Sequence, residues 1–287
     1  MASRRRRSPG DTPAAAAGRY VFLAVITGLT LYPVVLIVST ALKDPIDVAL
    51  NPFGLFSSFS LENFSAAWEY GHFGDFFLNT VYVTVPTVLL VVILSSLAGY
   101  GLAQFRFRGR SFVFYAFMVG LMVPFFSVML PLFYELRDLD LLGSYAAVVL
   151  PATAGATGFG LPLGVFLMRA FYQRLPQEIA DAARVDGAGE LAVFLRVMLP
   201  LSVPGMAVLA VLVFFETWNV FILPLLYITD PEKQTLSTGL YLAADGRTLE
   251  IGVLAAGSLI MAVPVLAVFI AFQRQFVRGI TAGAVKG

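Results

Sequence analysis

Two stretches of this sequence carry polar side chains whose types and spacing are suited to chemistry. The first is Phe215-Glu216-Thr217-Trp218-Asn219, set inside a long apolar run that continues to Pro224. A carboxylate, a hydroxyl and an amide side by side can hydrogen-bond a hydroxylated solute, and an indole can stack on an apolar ring face. Ionisable groups at membrane depth are rare and point to a pathway by default. The alternative is that these groups serve the fold, with Glu216 protonated or paired between helices. Both readings stay open, and one carboxylate is slender support for a proton relay.

The second stretch, Pro176 to Pro200, is a hydrophilic interruption of an oily chain. Pro176 suits a first helical position, and Glu178 suits the positive end of the helix dipole. Ala180, Ala182 and Ala183 propagate the helix, and Gly187 can take the left-handed conformation that ends it. A second helix is expected from about Ala188 to Met198, stopping before Pro200. The pattern is a polar helix-turn-helix built for docking.

Other chemistries are excluded by what the sequence lacks. There are no cysteines, hence no thiolate ligands, disulfides or thiol nucleophile. The lone histidine, His72, falls in a loop and reads as a solvated side chain. No metal-ligand cluster and no nucleophile–base pair is visible, so no catalytic or metal-binding residue is assigned. The three lysines follow Leu42, Glu232 and Val285, so no glycine–lysine phosphate loop exists. Any ATP-driven step therefore needs a separate ATPase. Net charge is +1, which gives no bulk field for nucleic acid.

The elements that must position these stretches are membrane helices. The 287 residues are 59% hydrophobic and 13% charged, about half the charge of a soluble domain. Apolar residues come in blocks at about 20–42, 79–103, 111–134, 145–168, 202–227 and 251–272. Each exceeds the roughly 20 residues needed to cross hydrocarbon. We expect an all-α protein of six spans, with residues 1–18 a disordered basic tail and 169–200 a loop. The first span is too long for a signal-peptide core of roughly 7–15 residues and is read as retained.

Lysine and arginine set the orientation. Fifteen of the nineteen fall on the side holding Arg4 to Arg7, Arg106, Arg108, Arg110, the 169–200 loop and both termini. Only Lys43, Arg137, Lys233 and Arg247 lie opposite. The bias places both termini and the loop in the cytoplasm. Outside lie about 43–78, 135–144 and 228–250, the first with a short interfacial helix over 61–70 capped by Ser60. Every span contains proline, which kinks helices. Gly155, Gly158, Gly160 and Gly164 in span four allow close helix contact.

The docking stretch resembles the cytoplasmic coupling loop of ABC importer permeases. Their pattern is Glu-Ala-Ala, three residues, Gly, nine residues, Ile-x-Leu-Pro. Here it reads Asp181-Ala182-Ala183, three residues, Gly187, nine residues, Val197-Met198-Leu199-Pro200. Tyr100 to Arg110, Trp218-Asn219 and Gly279 to Gly287 are similar to the sugar branch, in particular the maltose-type second permease. The resemblance implies a type I ABC importer transmembrane domain over 19–287. It also implies a second permease, most simply a heterodimer, two ATPase subunits holding ATP and Mg²⁺, and an extracytoplasmic solute-binding protein. By this resemblance Glu178, Asp181, Ala182, Ala183, Asp186, Gly187, Leu199 and Pro200 form the ATPase-coupling element. Asp181 takes the acidic position, one methylene shorter than the usual glutamate. Glu216, Thr217, Trp218 and Asn219 are the candidate translocation path. The setting is a prokaryotic plasma membrane, with lipid as a further partner.

Three alternatives accompany a sugar or oligosaccharide cargo. Glycerol phosphate would call for basic groups at depth, and a polyamine for more acid than Glu216 supplies. An ion-coupled carrier would need an ionisable cluster in the membrane, which the sequence does not contain.

Overall fold

The computed structural model describes residues 13–69, 71–245 and 251–284. Most of the expected basic tail (1–12), Tyr70, Arg247 and residues 285–287 lie outside the described residues. All regular structure among the described residues is helical. The chain forms two compact units, one of residues up to Gly71 with 246–259, the other His72–Asp245 with 260–287.

The first unit holds α1 (Pro13–Ala41), α2 (Pro45–Leu50), α3 (Glu62–Glu69) and the opening of α14 (Ile251–Ala284). Helix α1 begins inside the stretch expected to be disordered and has no buried segment across its apolar window. Its last carbonyls are satisfied from a distance: Asn63 Nδ2 donates to Ala41 O at 3.2 Å and Lys43 O at 2.7 Å. Lys43 is fully buried, which requires partners. Its ammonium donates to the carbonyls of Asn51 and Gly54 and lies 4.0 Å from Asp47. The Ser60 hydroxyl accepts from Glu62 N at 3.1 Å, so the expected cap of α3 is present.

The second unit contains α4 (Phe73–Gln104), α5 (Arg110–Gly120), α6 (Phe125–Asp138), α7 (Ala146–Ala154), α8 (Leu161–Tyr172), α9 (Gln177–Val185), α10 (Glu190–Val193), α11 (Leu199–Trp218), α12 (Ile222–Tyr227) and α13 (Leu236–Asp245). A π-helical turn, Phe194–Met198, joins α10 to α11. Helix α4 is the hub, packing on α7, α8, α11 and α13. Lipid gives apolar helices no hydrophobic reason to associate, so close approach of small residues must supply it. A side chain at Gly164 of α8 would overlap Ser95 Oγ of α4. One at Gly99 of α4 would come within 2.7 Å of Met168 Cβ and 2.8 Å of Arg169 N.

Three expectations are corrected. Span three is not one helix: α5 and α6 meet at 98° across a four-residue break ending at Pro124. Proline forces its predecessor out of the α region, and Pro124 itself is extended at ψ 134. Span four is likewise split into α7 and α8, of 9 and 12 residues. Of its glycines only Gly164 serves helix contact. Gly155 (φ +100) and Gly158 (φ +120) make the break, and Gly160 packs against Gly155 where no side chain fits. Third, the helix after Gly187 does not stop before Pro200. Pro200 sits in the first turn of α11, and the wide turn routes Leu199 N–H to Phe194 O, so Glu190–Trp218 is one helix of 29 residues. The proline's missing N–H is tolerated at that position.

Among the described residues four helices are individually long and apolar enough to cross a membrane: Ala16–Ala41, Phe73–Gln104, Glu190–Trp218 and Ile251–Gln273. The bent α5–α6 pair would make a fifth.

At the end of the second unit where α4 begins, Asn79 donates to the carbonyls of Glu232 and Gln234 at 2.7 and 2.9 Å. The Tyr145 hydroxyl donates to Asn79 Oδ1 at 2.6 Å. Part of the expected 228–250 connection is thus helix α13, held down on α4.

Candidate coupling loop and membrane site

Helix α9 ends in a Schellman motif. Gly187 stands at φ +85, its N–H donates to Arg184 O at 3.0 Å, and Ala188 N–H donates to Ala183 O at 3.0 Å. The expected left-handed cap is where the sequence puts it, while Pro176 sits one residue earlier than expected, at the N-cap. The helix has two faces. Ala180 is fully buried and, with Ala183, packs against Tyr100, Met168, Tyr172, Val193, Phe194 and Met198. Ile179, Ala182 and Val185 point away, with Val185 87% exposed. Small alanines inward let the helix lie close on α10 and the π-helical turn, and the opposite side is an exposed apolar strip flanked by the exposed carboxylates of Glu178, Asp181 and Asp186. Ala182 and Ala183, paired by the sequence pattern, thus meet different surroundings, the first exposed and the second half-buried. Leu199 and Pro200 open α11, with Pro200 exposed.

One residue sequence reasoning missed is Arg184. Its Nη1 donates to Asp181 Oδ1 at 2.7 Å, while Nε and Nη2 donate to the Glu190 carboxylate at 2.7 and 3.1 Å. A bidentate guanidinium–carboxylate pair is among the stronger side-chain interactions. These bonds, Glu190's first, hold the Arg184 pKa above its ordinary value, and the same bonds pull the Glu190 carboxyl below the usual carboxylate range. The i,i+3 spacing of Asp181 and Arg184 was a readable signal. The Glu190 contact needed the turn at Gly187 to be known.

The four candidate membrane residues separate. Thr217 and Trp218 are buried. Trp218 stacks on Phe214 with centroids 5.4 Å apart, meets Phe77 edge-on, and donates its indole N–H to Met261 O at 3.0 Å. Glu216 and Asn219 keep accessible surface. The Asn219 amide donates to Phe215 O at 2.7 Å. The Glu216 carboxylate accepts the Phe159 N–H at 3.1 and 3.3 Å, in the break between α7 and α8. Phe159 and the glycine break were not assigned from sequence.

A solved structure shares this fold. A bacterial ABC transporter chain involved in import of the acidic polysaccharide alginate superposes with a TM-score of 0.81 at 22% identity, covering 94% of this chain and 99% of that one. The architecture is therefore the all-helical type I ABC importer permease fold. The family model of binding-protein-dependent transport system inner membrane components matches residues 91–282, and this chain belongs to that family. Among curated relatives, the diacetylchitobiose uptake permease NgcG of Streptomyces coelicolor is 33% identical over 94% of this chain and 89% of its own length. The arabinooligosaccharide permease AraQ of Halalkalibacterium halodurans is 35% identical over 92% and 94%. The maltodextrin permease MdxG of Bacillus subtilis is 29% identical over 93% and 95%. The chain is a multi-pass permease component of a binding-protein-dependent transport system.

Proposed function

We propose that this permease imports a sugar or oligosaccharide, powered by a separate ATPase that grips the 169–200 loop. The observation that carries the coupling role is α9 itself. One face is buried against α10 and the π-helical turn, and the other is an apolar, acid-flanked strip with none of the described residues over it. The cargo class is supported by relatives whose names specify oligosaccharides.

In this reading the chain crosses the membrane six times, spans three and four as broken crossings, with residues 1–18 and both termini cytoplasmic. Two ATPase subunits bind ATP and Mg²⁺. A second, different permease packs beside this one, and a solute-binding protein docks outside near 228–250. The membrane is the prokaryotic plasma membrane. ATP closes the ATPase pair, the loops move with it, and the helices exchange inward- and outward-facing states, biased outside by the binding protein. Glu216 and Asn219 face the cargo path, while Thr217 and Trp218 support them.

The test is purification of the complex followed by uptake in proteoliposomes. Uptake requiring both ATP and the binding protein is expected. Transport by this chain alone down an ion gradient would overturn the reading.

A further inference from the structure

Helix α9 and the helix beginning at Glu190 are joined by a short turn, Asp186 to Gly189, and touch through the small side chains of Ala180 and Ala183 against Val193, Phe194 and Met198. A Schellman turn fixes where the chain reverses, but its few backbone bonds leave the angle between the nine-residue α9 and the long helix after it soft. Alanine contacts are non-directional, so a push on α9 would still change the angle at that turn unless a directional contact also bridged the arms.

Arg184 is that bridge. It leaves α9 one residue before the helix ends and takes both oxygens of Glu190, the first residue of the next helix, in a fork geometry that fixes direction as well as distance. Its remaining terminal nitrogen holds Asp181 one turn back, which fixes the guanidinium on α9. The Arg184 side chain is 30% exposed, so the bonds are only partly screened. Asp181 engages through Oδ1 alone and stays 66% exposed, leaving its other oxygen for a partner. Beyond Glu190 the helix runs unbroken to Trp218.

We infer that Arg184 is a positioning residue for energy coupling: by clamping Asp181 and Glu190 it makes α9 and the Glu190–Trp218 helix move as one body. This rests on the coupling role proposed for the loop. Glutamine in place of Arg184 or Glu190 keeps size and polarity but opens the clamp. Lysine keeps the charge but cannot hold Glu190 through both oxygens and Asp181 together.

The experiment uses the assembled transporter. Arg184→Gln and Glu190→Gln should each lower solute imported per ATP by about tenfold, inside the usual span of coupling effects, with the ATPase still co-purifying. The double variant should be no worse than either single one, since one clamp is lost in all three, and Arg184→Lys should fall between. Additive losses, or an unchanged solute-to-ATP ratio, overturn the clamp. If wild type retains no ATPase, the coupling role itself has failed instead. A second readout does not depend on assembly. The chain has no native cysteine, so spin labels at Val185→Cys and Leu191→Cys report the angle between the arms. The distance distribution should be narrow and should broaden on adding Glu190→Gln; an unchanged distribution overturns the clamp.

Discussion

The backbone N–H of Phe159 points at the Glu216 carboxylate, 3.1 and 3.3 Å from its two oxygens. One partner is a side chain on α11, the other a peptide in the glycine break of span four. The contact joins two elements that sequence reading treated separately. Glu216→Gln keeps an acceptor oxygen, whereas Glu216→Leu leaves a donor at membrane depth without one. Phe159 is exposed, so the expected cost of the leucine variant is at most about 1 kcal/mol of stability together with slower uptake, and glutamine should retain most of both. Thermal unfolding of the purified chain and initial uptake rates check this. Equal behaviour of the two variants would show that the acceptor is immaterial.

Gly164 and Ser95 set the approach of α8 to α4. Gly164→Val places atoms where Ser95 Oγ stands, and overpacking of this kind costs about 1–3 kcal/mol. Loss of the monodisperse peak on heating, at a lower temperature than wild type, is the expected result. Ser95→Gly should recover part of the loss in a Gly164→Ala background. No recovery would mean the strain lies elsewhere.

Gly187 at φ +85 penalises any β-branched side chain, since the left-handed region costs about 1–2 kcal/mol for ordinary residues. Gly187→Val should uncouple ATP hydrolysis from uptake while the membrane helices stay folded. Asparagine, which tolerates that region, should be milder. Unchanged uptake by the valine variant would remove the turn from the coupling mechanism.

Acid should open the arms of the loop. The Glu190 carboxyl is held below its usual value by Arg184. A group with a lowered folded pKa contributes stability that is complete above its unfolded value, about 4.3, and lost as pH falls through the folded one. Spin-label distances across the turn should therefore hold steady from neutral pH down to that value and broaden only below it. Broadening near pH 6 would contradict the assigned cause.

The six-crossing arrangement has its own check. Single cysteines at Leu50, which is 80% exposed, and at Arg108 in the loop after α4 should label from opposite sides of intact cells. A membrane-impermeant maleimide should reach position 50 only. Labelling of both from outside would reject the orientation.

The helix and turn of the 176–189 stretch were legible because their signals are local: Gly187 for the positive φ, alanines for helix. The long apolar spans were legible for the same reason. The breaks in spans three and four were not, because length and hydropathy do not register a 98° bend; only Pro124 and the Gly155-Gly158-Gly160 cluster hinted at them. The roles of Thr217 and Trp218 were hidden as well. Polar residues beside Glu216 read as one site, yet successive helical positions are about 100° apart, so neighbours in sequence face different surroundings. Arg184 needed the turn to be known before its second partner came into range.

The unbroken helix from Glu190 to Trp218 gives small movements a long reach. Glu190 and Glu216 are separated by about 39 Å at 1.5 Å per residue. A tilt of about 5° at the Glu190 end therefore sweeps the carboxylate through about 3 Å, more than a hydrogen bond survives. The Phe159 contact is then a gauge of helix angle: intact in one pose, broken after a modest swing. Under the proposed coupling, spectroscopic observation of that single peptide N–H would follow the swing of the helix from its far end.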